Sequence, residues 1–106
     1  MTVYLPAATL HRAKNPTMLN KEITIINKLG LHARAAAKFV NLASQFESEI
    51  ALTRDGRRVN GKSIMGVMML AAAQGTTLEL SVSGNDENEA LEQLEGLIGQ
   101  RFGEDA

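Results

Sequence analysis

The chain contains no cysteine, which excludes a disulfide framework and any thiolate metal centre and points to a reducing compartment, the cytoplasm. No apolar run approaches the roughly 18 residues that a membrane span requires. The start also lacks the apolar stretch of a signal peptide, because Thr9, His11, Arg12, Lys14 and Asn15 interrupt it. Charge of one sign is missing too: 11 Lys and Arg stand against 12 Asp and Glu, a formal net charge of −1. That balance argues against a dedicated nucleic-acid binder, which carries a broad basic surface. Aromatic residues are only 4% of the chain. Tyr4 precedes the patterned region, and Phe39, Phe46 and Phe102 fall in or beside segments that read as helices, so a sheet-based stacking platform for RNA is not expected either.

What remains is 106 residues with 44% hydrophobic content, enough for one domain with its own core. Residues 1–17 hold both prolines, Pro6 and Pro16, and show no sustained period. They read as a disordered leader, and the patterned domain is expected over residues 18–106. Within it, basic residues dominate from Met18 to Lys62, whereas Arg101 is the one basic residue against many Asp and Glu from Ser63 onward. Placed on separate faces, those halves would let the basic one steer an acidic partner.

Periodicity orders the elements. Glu22 to Asn27 reads as a strand with Ile23 and Ile25 on one side. Gly30 breaks it, and His32 to Ser44 reads as a helix with Ala36, Phe39, Val40 and Ala43 on one stripe. Glu49 to Arg54 alternates, Asp55-Gly56 is a two-residue hairpin turn, and Arg57 to Asn60 pairs back. Ser63 is a natural N-cap for a short helix from Ile64 to about Ala72, with Gly75 near the place of a C-terminal glycine. Thr77 to Ser83 alternates again. Asp86 and Glu89 have the spacing of a capping box ahead of a last helix with Ala90, Leu91, Leu94, Leu97 and Ile98 on its stripe. The order β-α-β-β-α-β-α with one-sidedly apolar strands predicts a two-layer α+β domain, its antiparallel sheet covered by helices on one face.

The chemistry concentrates between Lys28 and Ala37. A helix start normally recruits Ser, Thr, Asp or Asn to accept from its first free amides. Here the junction residue is His32, which leaves the amides of Ala33, Arg34 and Ala35 without a strong local acceptor. Such a helix end attracts an anion, and Arg34 adds a charge-assisted bond to a phosphate. The same positive end disfavours an imidazolium, so a neutral, nucleophilic His32 is expected near neutral pH. A structural histidine at a helix end is the plainer alternative. Ser63, as an N-cap, tolerates a phosphate at that position. Met65, Met68 and Met69 cannot all face the core of a one-sided helix. One or two of them, with Ile64, should form an adaptable contact surface, while Val67 and Leu70 pack inward.

Two stretches, Gly30-Leu31-His32-Ala33-Arg34 and Asn60-Gly61-Lys62-Ser63-Ile64-Met65-Gly66-Val67, resemble the HPr family, the small histidine phosphocarriers of the bacterial phosphoenolpyruvate-dependent sugar phosphotransferase system. The resemblance runs from Asn20 to Gly99 and implies an open-faced β-sandwich in which three helices cover a four-stranded sheet. It implies that His32 takes the phosphoryl group through Nδ1 from enzyme I and passes it to an EIIA domain. It matches Arg34 to the phosphate-contacting arginine, Ser63 to the serine modified by an ATP-dependent HPr kinase/phosphorylase, and Ile64, Met65 and Met68 to the partner-docking helix. Many members carry proline after the arginine where this chain has Ala35, a change the first helical turn tolerates. The expected molecule is a cytoplasmic monomer and a stoichiometric carrier, not an enzyme, with no metal, no cofactor, no membrane and no nucleic acid. Two other readings compete: a mainly regulatory HPr-like protein, in nitrogen-branch or carbon-catabolite signalling, and a ligand-sensing α+β module.

Overall fold

Strand patterning resolves into one antiparallel sheet in the computed structural model, which describes residues 17–106. Strands β1 (Leu19–Thr24), β2 (Glu49–Arg54), β3 (Arg57–Asn60) and β4 (Thr77–Ser83) lie in the order β1-β4-β2-β3. Helices α1 (Ala33–Ala43), α2 (Ile64–Met69) and α3 (Glu87–Gly99) cover one face, and a short 3₁₀ turn, Arg101–Gly103, follows α3. This is the expected β-α-β-β-α-β-α order. The expected leader falls outside the described residues except for Thr17, whose amide and hydroxyl donate to Glu87 Oε2 at 3.1 and 2.7 Å.

Between sheet and helices the core takes Ile23, Ile25, Ile50, Leu52, Leu78, Leu80 and Val82 from the sheet side. It takes Ala36, Phe39, Val40 and Ala43 from α1, Val67 from α2, and Ala90, Leu94 and Ile98 from α3. Each helix contributes the stripe its 3.6-residue period places inward. At the β2–β3 hairpin, Asp55 and Gly56 both adopt positive φ, 49° and 82°, as the favoured two-residue turn requires.

Four local expectations change. Strand β1 starts and ends about three residues early, because Leu19 to Thr24 pair with Val82 to Thr77 of β4. Beyond Thr24 only isolated bonds continue: the Ile25 amide to the Thr76 carbonyl at 2.9 Å, and the Gly75 amide to the Ile25 carbonyl at 2.7 Å. Helix α2 stops at Met69, short of Ala72, and Ala71 takes the left-handed conformation (φ 50°) where Gly75 was expected to serve. Guanidinium groups take over that helix end: Arg54 Nη1 donates to the carbonyls of Leu70 (2.7 Å) and Ala71 (3.0 Å), and Arg57 Nη1 to that of Met69 (3.3 Å). Cations suit the negative end of a helix. Asp86 forms no capping box. Its carboxylate reaches away from α3 to accept from the Ser48 hydroxyl (2.5 Å) and from the amides of Glu47 (2.9 Å) and Ser48 (3.0 Å). Finally, all three methionines of α2 are exposed, not one or two, because Val67 alone of that helix is buried.

Candidate functional site

Helix α1 begins without a side-chain cap. His32 sits at its N-cap position with extended backbone (φ −69°, ψ 176°) and makes no capping bond, and no acidic residue occupies the first turn. The Ala36 amide is the first to find a helical partner, the His32 carbonyl at 2.8 Å. Among the described residues no side chain accepts from the amides of Ala33, Arg34 or Ala35. Ala33 and Arg34 are exposed, but Ala35 is fully enclosed by the core. Open donors at this helix end therefore reduce to Ala33 and Arg34.

The approach to that helix is held tightly. Gly30 has φ 68°, and a Cβ there would overlap the Ala72 carbonyl oxygen. The Leu31 amide donates to that same carbonyl at 2.8 Å. The sharp turn before His32 is thus stitched to the residues just past α2, the helix carrying the exposed methionines.

His32 is part-exposed, its side chain 28% accessible, and Nε2 contacts Glu104 Oε2. Nδ1 has no hydrogen-bond partner among the described residues. Glu104 was not expected from the sequence. It arrives because Phe102 is buried completely in the core and Lys38 Nζ donates to the Phe102 carbonyl at 2.7 Å. Its other oxygen, Oε1, accepts from Asn27 Nδ2 at 3.0 Å, and that amide group also donates to the Gly30 carbonyl at 2.8 Å. Asn27 is itself buried. The Asn27 amide, then the His32 ring, hold the Glu104 carboxyl below the usual carboxylate range, with the charge of Lys38 adding and burial opposing. The one available signal was Phe102: it lies four residues past Ile98 and extends the apolar stripe of the last helix, which pins the chain close to the site.

Around the ring lies a hollow open to solvent, about 600 Å³, bordered by Lys28, Leu29, Ala33, Arg34 and Glu104. Arg34 makes no ion pair or hydrogen bond among the described residues, so its guanidinium is free to meet an anion there. Leu29 (67% accessible), Ile64, Met65 (71%), Met68 and Met69 are exposed large apolar residues, four of them on α2. Ser63 caps α2, its Oγ accepting from the Gly66 amide at 3.1 Å, and it remains part-exposed. Fold and sequence together thus bring His32, Arg34 and the amides of Ala33 and Arg34 to one helix end, with Ser63 and the exposed residues of α2 on the next helix. Among the described residues no group of His, Asp and Glu is gathered that could hold a metal ion, and no helix is long and apolar enough to cross a membrane.

Known proteins match most of the described chain. The family described as "PTS HPr component phosphorylation site" matches residues 19–100. The phosphocarrier protein HPr of Neisseria meningitidis serogroup A is 61% identical over 87 residues, covering 82% of this chain and 98% of that protein. The crystal structure of HPr-C-His from Thermoanaerobacter tengcongensis superposes with a TM-score of 0.80 at 49% identity, covering 83% of this chain and 99% of the other. A crystal structure of an HPr dimer from the same organism gives 0.67 at 52% identity, covering 77% and 94%.

Proposed function

The chain belongs to the HPr family, the phosphocarriers of the phosphoenolpyruvate-dependent sugar phosphotransferase system, and from that premise we propose that His32 is the residue that carries the phosphoryl group. The observation that supports this reading is the uncapped start of α1. A part-exposed imidazole with an unengaged Nδ1 stands there beside the open amides of Ala33 and Arg34 and the unpaired guanidinium of Arg34. A helix N-terminus supplies donors and partial positive charge to a phosphate, and the guanidinium adds bidentate charge-assisted bonding. Phosphoryl transfer needs positioning and charge stabilisation more than covalent help from the protein. An open hollow suits a group that must be handed from one protein to another.

In this reading the chain is a stoichiometric carrier in the cytoplasm, charged by enzyme I and discharged by an EIIA domain. Ile64, Met65 and Met68 form the docking surface, where flexible thioethers adapt to different partners. Ala35, enclosed in the core, takes no part in holding the phosphoryl group. When chain, enzyme I and radiolabelled phosphoenolpyruvate are mixed, label enters the wild type and is absent from His32→Ala. Label that persists in His32→Ala overturns the assignment.

Ser63 fits a second, regulatory modification. Its hydroxyl is part-exposed at the start of the helix that bears the docking residues, so a phosphate of about −2 charge there would face an incoming acidic partner. Incubation with an HPr kinase and ATP should give acid-stable label on the wild type and none on Ser63→Ala, in contrast to the acid-labile label on His32.

A further inference from the structure

The Nε2 side of the His32 ring is occupied in a way that a mere carrier surface does not require. Glu104 reaches it from the far end of the domain, and three features fix the carboxylate. Asn27, fully buried, holds Oε1 at 3.0 Å with the same amide group that holds the Gly30 carbonyl at 2.8 Å, so carboxylate and histidine turn share one anchor. Phe102 is wholly enclosed in the core, and Lys38 donates to its carbonyl at 2.7 Å. Between α3 and Glu104 the backbone runs through three consecutive positive φ values: Arg101 at 57°, Phe102 at 55° and Gly103 at 78°. Non-glycine residues persist in that region only where packing over-determines them, and such outliers cluster at functional sites. Here the unusual turn delivers one carboxylate to one ring nitrogen.

We propose that Glu104 is a positioning residue for phosphoryl transfer: it holds the ring proton on Nε2 of His32, keeping the lone pair on Nδ1, and balances the positive charge the ring acquires when Nδ1 is phosphorylated. This rests on His32 as the phosphoryl acceptor. A carboxylate accepts and cannot donate, so the neutral ring opposite it carries its proton on Nε2. The Nδ1 lone pair then attacks the phosphorus of a phosphohistidine on the donor protein. The donor's P–N bond breaks and its electron pair returns to the donor nitrogen.

The ring of His32 now bears the phosphoryl group on Nδ1 and the proton on Nε2, with one positive charge shared across the imidazole and faced by Glu104. In the onward step a nucleophile of the EIIA domain forms its bond to phosphorus as the P–N bond breaks, the P–N pair returns to Nδ1, and His32 leaves as neutral imidazole. No proton enters or departs at His32 in either direction. Without the carboxylate the phosphorylated ring sheds its Nε2 proton more readily, and the leaving group becomes an imidazolate, a much poorer one. Lys38 beside the carboxylate, with Lys28 and Arg34 bordering the same hollow, would reinforce that loss, since cations disfavour a further positive charge.

The test uses the full chain and Glu104→Gln, an isosteric change on a side chain outside the core, with Glu104→Ala beside it. In wild type, the ¹⁵N spectrum of His32 should show Nε2 protonated and Nδ1 bare, with an Nε2 proton signal protected from exchange. Glu104→Ala should lose that protected signal and gain the minor Nδ1–H form of free imidazole. After phosphorylation by enzyme I, the ³¹P titration of Glu104→Gln should show the ring proton leaving at lower pH than in wild type. Onward transfer to an EIIA domain should slow about tenfold on the alkaline side of neutrality, and less below it, the effect of displacing one ionisation by one pH unit. Unchanged ¹⁵N signals in Glu104→Ala, or an unmoved ³¹P titration in Glu104→Gln, overturn the proposal. Label entering His32→Ala would overturn the acceptor assignment itself, and that arm reads independently of the ¹⁵N measurement on the unphosphorylated ring.

Discussion

Replacing Gly30 with alanine tests how the turn before His32 is built. Two penalties apply at that position. An alanine forced to φ 68° costs about 1–2 kcal/mol, offset by about 0.4–1 kcal/mol because alanine stiffens the unfolded chain. The new Cβ would also overlap the Ala72 carbonyl oxygen and stand 2.9 Å from Ala73 Cα, both backbone atoms that cannot rotate aside. Forcing atoms into a packed site costs about 1–3 kcal/mol more. Gly30→Ala should therefore lose about 2–4 kcal/mol in urea unfolding. At about 4–8 °C per kcal/mol for a domain of this size, the melting temperature should fall by roughly 8–32 °C. Gly75→Ala is the matched control: φ is 89°, but nothing lies within 4 Å of its added Cβ. It should lose about 1 kcal/mol or less, since the conformational penalty stands alone. The variants should differ in activity as well, because only Gly30 adjoins the Leu31 amide bond to Ala72 and the Asn27 anchor of Glu104. Equal losses from the two substitutions would refute the close approach as the reason for glycine at this turn.

Two further outcomes concern stability. Ser63→Ala should destabilise the domain by about 1 kcal/mol through the lost cap to the Gly66 amide, with Ser63→Asp restoring most of it; urea midpoints measure both. Asp86 gives an acid limb. The Ser48 hydroxyl first, then the Glu47 amide, hold its carboxyl below the ordinary 3.8. Its folded form therefore takes up a proton less readily than the unfolded chain. That contribution is complete above the ordinary value and disappears as pH falls through the depressed one. Asp86→Asn should lower stability at neutral pH and flatten its decline between about pH 6 and pH 2, followed by urea midpoints.

Much of the fold was legible because the patterns were local. Phe39 and Val40 on α1, Leu78 and Leu80 on β4, and the Asp55-Gly56 turn all announce themselves within a few residues of sequence. The Ser63 cap was legible for the same reason, its acceptor lying three residues from its donor. The misplaced features share a different cause. Asp86 has the side chain of a cap, but partners on Glu47 and Ser48, distant in sequence, recruit it. Helix α2 lost its expected last turn to guanidinium groups from the β2–β3 hairpin, with an alanine in the position where glycine is favoured. At the site, His32 and Arg34 were readable from an N-terminus that lacked a cap. Glu104 was not, because nothing in residues 101–104 predicts three successive positive φ values, and only the burial of Phe102 dictates where the carboxylate lands.

The thioethers on α2 carry a liability of their own. With no thiol anywhere in the chain, a peroxide meets the exposed Met65, Met68 and Met69, together with Met18, among its readiest targets, and each sulfoxide makes a flexible apolar arm polar. These side chains are exposed and the buried contacts of α2 are made by Val67, so oxidation would spare the fold. Oxidised protein would unfold at nearly its usual temperature while presenting a wetter, less adhesive face, and methionine sulfoxide reductases would be the activity that returns it to service.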